Sequence, residues 1–286
     1  MKDILKLIRV KHWLKNGLVF LPLFFSINFL NKEMLLSSIL AFVIFSITSS
    51  IVYVTNDMED AENDKKHPIK KERPLASGRI SMKEAQIIRA ILIILLGGFL
   101  WIMSNRIESI WILIIPLIYL GMNIAYSKKL KKIPIIDVVI IVLGFILRVI
   151  YGGLSINVEV SKYLYLMIIF GSFYLAFGKR RNEFLKNGDK SRESLSMYNK
   201  EFLDKNMYVA FALAIVSYTL WCVDSTTISH IGNDYVFWTI PLLMIILQLY
   251  SLNIEGNSFG DPIDVILSDK KLLGFIILYI LVMVLI

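Results

Sequence analysis

Cysteine is almost absent from this chain. Cys222 stands alone inside an apolar segment, which excludes an internal disulfide framework and a thiolate metal site and leaves a small buried hydrophobe. Histidine is nearly as scarce, and His12, His67 and His230 have no spacing that would let them share a metal. His67, beside an acidic stretch, reads as structural. No run rich in proline, glycine or serine divides the sequence, and no polar block forms an appended soluble domain. The first apolar run lacks the small-residue cleavage site of a removable signal peptide. Above all, charge is missing from long stretches. The chain is 56% hydrophobic with a mean hydropathy of +0.65, and its apolar runs repeatedly reach the ~20 residues that cross a bilayer. These runs predict an all-α, polytopic membrane protein.

Nine spans are expected, at about 14–31, 35–55, 84–104, 108–127, 134–156, 160–178, 206–224, 235–253 and 271–286. The net charge of +8 raises nucleic acid as a partner, and the location of the cations argues against it. Only Lys32, Arg106 and Lys162 fall on the side opposite the N-terminus, and Arg89 and Arg148 lie inside spans. All other lysines and arginines lie on the N-terminal side. That bias places the N-terminus in the cytoplasm and the C-terminus outside, so the charge serves topology first and anionic lipids or substrates second. Residues 1–12 read as an interfacial amphipathic helix, with Ile4, Leu5, Leu7 and Ile8 on one side and Lys2, Lys6 and Arg9 on the other. The longest connections, about 56–83 and 179–205, are charged and cytoplasmic, which is where chemistry is expected.

The stretch "NDMEDAEND", residues 56–64, crowds five carboxylates against the end of an apolar run. On a helix, Asp57, Asp60 and Asp64 fall within roughly 60° of one another, while Glu59 and Glu62 point elsewhere. Converging like charges need a counter-ion. Mg2+ suits hard oxygen ligands and is commonly held by one or two carboxylates with the phosphates of a substrate. Asn56 adds a neutral oxygen or a donor. The other candidate neutralisers are the neighbouring Lys65, Lys66, Lys70 and Lys71.

Asn56, Asp57, Asp60 and Asp64 match an NDxxDxxxD signature, and "HPIKKERPLASGRIS" is similar to the segment that follows it in the UbiA-type intramembrane prenyltransferase superfamily. The resemblance covers nearly the whole chain. It implies a single transmembrane domain, residues 1–286, with nine helices around a cytoplasm-facing cavity capped by two polar loops. Ring-prenylating members carry a second motif, DxxxD, after the sixth span; here the stretch reads "FGKRRNEFLKNGDKSRESLSMYN", with Lys179, Arg180 and Arg181 in place of carboxylates. Together with "RVKHWLKNGLVFLPLFF", "LRVIYGG" and "GDPIDVILSDKKLL", this resembles the decaprenyl-phosphate phosphoribosyltransferase-like branch.

The branch implies transfer of 5-phosphoribose from phosphoribosyl diphosphate to a polyprenyl phosphate, with magnesium on Asp57, Asp60 and Asp64. The alternative is transfer of a prenyl group from an allylic diphosphate to an aromatic or quinone precursor. Lys131 in "YSKKLKKIP", Lys179 and Arg180 are candidates for direct phosphate contacts, and Tyr126 with Lys131 resembles a polar patch at the cavity rim. Arg148 is expected to line the cavity, since a cation inside a span faces a polar space. Lys15 in "HWLKN" is a further substrate-binding candidate. Gly97, Gly98, Gly152 and Gly153 read as sites of close helix packing.

Overall fold

A computed structural model of the chain describes residues 1–66, 70–187, 193–256 and 262–286. His67, Gly260 and Asp261 lie outside them, as does the middle of the polar stretch after Asn187. The described residues form helices and turns and contain no β-strand. They gather into two compact units, one of Met1–Lys128 with Leu147–Glu159, the other of Lys129–Ile146 with Val160–Ile286.

The first unit begins with α1 (Lys2–Leu7), a 3-10 segment (Val10–Phe20) and α2 (Leu21–Phe25). It continues through α3 (Lys32–Glu59), α4 (Ala61–Lys65), α5 (Met82–Ser104) and α6 (Trp111–Lys128), and it receives the last part of α7 (Ile136–Ser155). The long helices start where sequence chemistry starts them. Asn31 caps α3 by accepting from the Glu33 and Met34 amides, and Ser81 with Glu84 forms a reciprocal capping box on α5. α3 lies at the centre, with α5, α6 and the 3-10 segment packed on it. Its buried face mixes Ile44 and Phe45 with the hydroxyls of Ser46, Thr48, Ser49 and Ser50. Thr48 and Ser50 return hydrogen bonds to carbonyls one turn back, so these small polar groups are satisfied while a neighbouring backbone comes close.

Two expectations change here. The amphipathic helix stops at Leu7 rather than at residue 12, because Arg9 adopts a left-handed backbone, φ 53°. The span expected over 14–31 is not one α-helix. Trp13 donates to Ser50 Oγ (3.0 Å), and Asn16 donates to Ser46 Oγ and Ser49 Oγ (3.1 and 3.2 Å), which hold the chain in a tighter 3-10 path. Pro22 then opens α2, and Ile27 turns left-handed at φ 55°. Gly152 of α7 explains the close fit: a Cβ there would lie 2.1 Å from the Val19 carbonyl oxygen. Gly97 and Gly98 have open space instead, so the packing expected of them is not found.

The second unit contains α8 (Lys162–Asn187), α9 (Lys200–Val223), α10 (Ser225–Ile231), α11 (Ile240–Glu255), α12 (Pro262–Ser268) and α13 (Lys270–Leu285). α8 and α9 pack along their length, and α11 joins them. Asn199, Asp224 and Asp269 cap α9, α10 and α13, and Gly232 ends α10 at φ 84°. The hydroxyls of Tyr218, Thr239 and Tyr279 bond to one another in a buried chain.

Among the described residues, six helical stretches are long and apolar enough to cross a membrane: Lys32–Glu59, Met82–Ser104, Trp111–Lys128, Ile136–Ser155, Lys200–Val223 and Tyr235–Glu255. Large apolar side chains such as Ile94, Trp101 and Trp238 stay exposed, as lipid contact requires. The chain is a multi-pass, all-helical membrane protein. α8 is long enough but ends in cations, and α13 has only 16 residues.

Candidate active site

The acidic stretch lies in the first unit, where α3 gives way to α4. Asp57 and Asp64 are buried, at 2% and 4% exposure, whereas Asp60 caps the end of α3 half-exposed. Glu59 and Glu62 face outward, and Lys65 pairs with Glu62 rather than with the aspartates. Of the expected three, Asp57 and Asp64 are enclosed together, while Asp60 stays partly exposed at the junction. One nitrogen joins them: Arg73 Nη1 donates to Asp57 Oδ1 at 3.0 Å and to Asp64 Oδ2 at 2.7 Å. Arg9 Nη2 donates to the same Asp57 oxygen at 2.6 Å, with its guanidinium carbon 4.7 Å from the centre of the Tyr53 ring. Lys70 Nζ stands 4.0 Å from Asp64 Oδ1. The principal counter-ions are thus two arginines, not the lysines next in sequence.

Among the described residues, no three acidic, histidine or cysteine side chains are gathered closely enough to cage a metal unaided. Two converging carboxylates do fit a magnesium ion whose remaining ligands are water and phosphate. Asn56, in the last turn of α3, is half-buried beside them.

A second cluster in the same unit surrounds Arg148, which is only 5% exposed. Its Nε donates to Asn16 Oδ1 at 2.8 Å and its Nη2 to the Tyr119 hydroxyl at 2.9 Å. The guanidinium carbon lies 4.8 Å from the Tyr119 ring centre and 5.6 Å from that of Phe45. The Gly152–Val19 approach, one helical turn along from Arg148, brings Asn16 within reach. Lys15, next to Asn16, is half-buried on the 3-10 segment, and Tyr126 is half-buried near the end of α6.

Residues 19–262 match the model of the UbiA prenyltransferase family. The chain belongs to that family. It is 31% identical over 274 residues to the decaprenyl-phosphate phosphoribosyltransferase of Corynebacterium glutamicum, covering 94% of this chain and 81% of that one. Identity to the enzyme of the same name from Mycobacterium tuberculosis is 28% over 276 residues, covering 94% and 89%. The fold is similar to that of a UbiA homolog from Archaeoglobus fulgidus bound to GPP and Mg2+, with a TM-score of 0.67 at 19% identity over 99% of this chain and 100% of that one.

The second unit of this UbiA-family chain holds the remaining candidates. Lys131 is half-buried in the 3-10 turn Leu130–Lys132, and Lys179 is half-buried on α8. Arg180 differs from the phosphate contact expected of it. It is fully buried, with Nε 2.7 Å from Asp137 Oδ2 and Nη1 2.8 Å from Glu183 Oε2. Tyr198 donates to Asp137 Oδ1 at 2.8 Å and accepts from the Ile135 amide, and Ser194 donates to Asp137 Oδ2 at 3.2 Å. Burial pushes the Tyr198 phenol above its ordinary range, so it stays a hydrogen-bond donor. Arg181 pairs with Asp204.

Sequence pattern does not mark Arg9, Arg73, Asp137 or Tyr198 as site residues: Arg9 reads as part of the polar side of the first helix, and Arg73 as one more positive charge after the acidic stretch. Asp137 carried a usable signal, since a carboxylate at the start of an apolar span needs a partner.

Proposed function

We propose that this protein transfers 5-phosphoribose from phosphoribosyl diphosphate to a polyprenyl phosphate, releasing diphosphate, at the cytoplasmic edge of the membrane. The observation that carries the reading is the convergence of Asp57 and Asp64 on one cationic nitrogen. It occurs in a chain aligned over 94% of its length with decaprenyl-phosphate phosphoribosyltransferases.

The reaction breaks the bond from ribose C1 to the diphosphate oxygen and forms one from C1 to a phosphate oxygen of the lipid. That attacking oxygen is already anionic near neutral pH, so no general base has to create it, consistent with a chain poor in histidine. As the leaving group departs, positive charge develops on the sugar and negative charge on the diphosphate. Magnesium bound at Asp57 and Asp64, with Asp60 as a third carboxylate at the helix junction, would supply the neutralisation of that diphosphate.

The protein's own groups align the reactants and exclude water. Lys131 and Lys179 contact phosphate oxygens, and Arg180, locked by Asp137 and Glu183, fixes the turn of α8 that presents Lys179. Arg148 holds Asn16 and thereby the adjacent Lys15. Asn56 and Tyr126 complete the polar lining. The domain spans residues 1–286 with nine passes around a cytoplasm-facing cavity: the six apolar stretches, the segment through Val10–Phe20 and α2, α8, and α13. The clustering of lysine and arginine on the N-terminal side supports a cytoplasmic N-terminus.

Transfer of a prenyl group to a ring acceptor is the second reading. Family membership supports it, and Lys179, Arg180 and Arg181 in place of a second acidic motif weigh against it. One assay separates the two. Purified protein given ribose-labelled phosphoribosyl diphosphate, a polyprenyl phosphate and magnesium should yield lipid-soluble label. Label that stays in water, while an allylic diphosphate is consumed with a ring acceptor, would establish the second reading.

A further inference from the structure

Two carboxylates and two guanidiniums balance at the junction of α3 and α4. Asp57 Oδ1 accepts from both Arg9 and Arg73, and Arg73 Nη1 also reaches Asp64 Oδ2. Both carboxylates are nearly inaccessible, and both arginines are mostly buried, at 22% and 28% exposure. A divalent cation arriving at these oxygens with the arginines in place would create a large excess of positive charge in a poorly solvated space. It would also compete for the same lone pairs. The left-handed backbone of Arg9 is one that a non-glycine residue keeps only when its surroundings hold it there, so this contact is built in rather than a loose surface pairing.

We infer that Arg73, assisted by Arg9, is an internal stand-in cation that holds Asp57 and Asp64 together until a divalent ion takes its place. The inference rests on the metal reading above. Arg73 occupies the point on which the two carboxylates converge, which keeps two like charges side by side without strain. Binding is an exchange, in which the guanidiniums leave the carboxylate oxygens as the ion arrives. Displaced cations need anions, and a diphosphate arriving with the ion supplies them. The ion alone therefore binds weakly, and ion with diphosphate binds tightly. Arg73 is a positioning residue for the acidic pair. It makes the empty site stable and links occupancy to the leaving group of the substrate.

The test measures Mn2+ binding to the full-length protein in detergent by electron paramagnetic resonance, with and without inorganic diphosphate. Arg73→Gln should bind Mn2+ alone more tightly by about tenfold or more, the scale on which one neighbouring charge shifts a carboxylate equilibrium. It should also lose most of the enhancement that diphosphate gives the parent. Arg73→Lys keeps the charge and should behave like the parent, which separates displacement of a cation from general loosening of the fold. Equal or weaker Mn2+ binding by a folded Arg73→Gln protein overturns the inference. If Arg73→Gln does not fold, Arg9→Gln takes its place with the same expected direction, and unchanged affinity there overturns it equally. A parent protein that binds no Mn2+ sensitive to Asp57→Asn, even with diphosphate, overturns the metal reading itself and the inference with it.

Discussion

Replacing Gly152 by alanine tests the close approach that shapes the first unit. The new methyl carbon would lie 2.1 Å from the Val19 carbonyl oxygen, 2.9 Å from its carbonyl carbon and 3.2 Å from its Cα. All three atoms are backbone, so no rotamer change relieves the overlap. The 3-10 segment must move away by more than an ångström or α7 must shift. Overpacking in a tight core costs about 1–3 kcal/mol. Movement of the 3-10 segment also pulls Asn16 from Arg148, a 2.8 Å charge-assisted hydrogen bond worth about 1.5–3 kcal/mol. The combined loss is roughly 3–5 kcal/mol, or on the order of 10 °C in the unfolding midpoint of a chain this size. Gly97→Ala is the matched control. Nothing lies within 4 Å of its Cβ position, so alanine should stabilise α5 by about 0.5–1 kcal/mol. Thermal unfolding in detergent reads both variants. An unchanged midpoint for Gly152→Ala, or an equal fall for Gly97→Ala, would refute the reasoning.

Asp57→Asn should lower phosphoribosyl transfer by about 100-fold or more, measured as lipid-soluble label, because it removes a carboxylate from the site that neutralises the leaving group. Asp137→Asn should destabilise the protein by about 1.5–3 kcal/mol, since Arg180 loses its 2.7 Å carboxylate partner and keeps only Glu183; a thermal midpoint equal to the parent's would contradict that. Tyr198→Phe should cost only about 1 kcal/mol. Because the folded-state pKa of Tyr198 is raised, its contribution is complete below the ordinary phenol value of about 10 and disappears only as pH rises through the higher folded value. The difference between parent and Tyr198→Phe should therefore stay constant from about pH 6 to about pH 9, and a difference that shrinks within that window would place the phenol's ionisation elsewhere.

Much of this protein is legible in its sequence. Runs of ~20 apolar residues force helices, because lipid offers no partner to an unpaired backbone group. Asn31, Ser81, Asn199 and Asp269, which the apolar runs do not single out, start helices by accepting from amides two or three residues on. The carboxylate stretch at residues 56–64 advertised its need for a counter-ion. Local pattern failed where distant groups decided the outcome. The straight first span gives way to a 3-10 path because Trp13 and Asn16 find hydroxyls on α3, thirty or more residues away. Helical periodicity puts three aspartates on one face, and burial then distinguishes them, enclosing Asp57 and Asp64 and leaving Asp60 partly exposed where α3 meets α4. The identity of their partners was a tertiary matter as well. Nearby lysines were the obvious neutralisers by sequence distance, yet Arg9 and Arg73 reach the buried oxygens, since only the folded chain sets which cations can follow a carboxylate out of water.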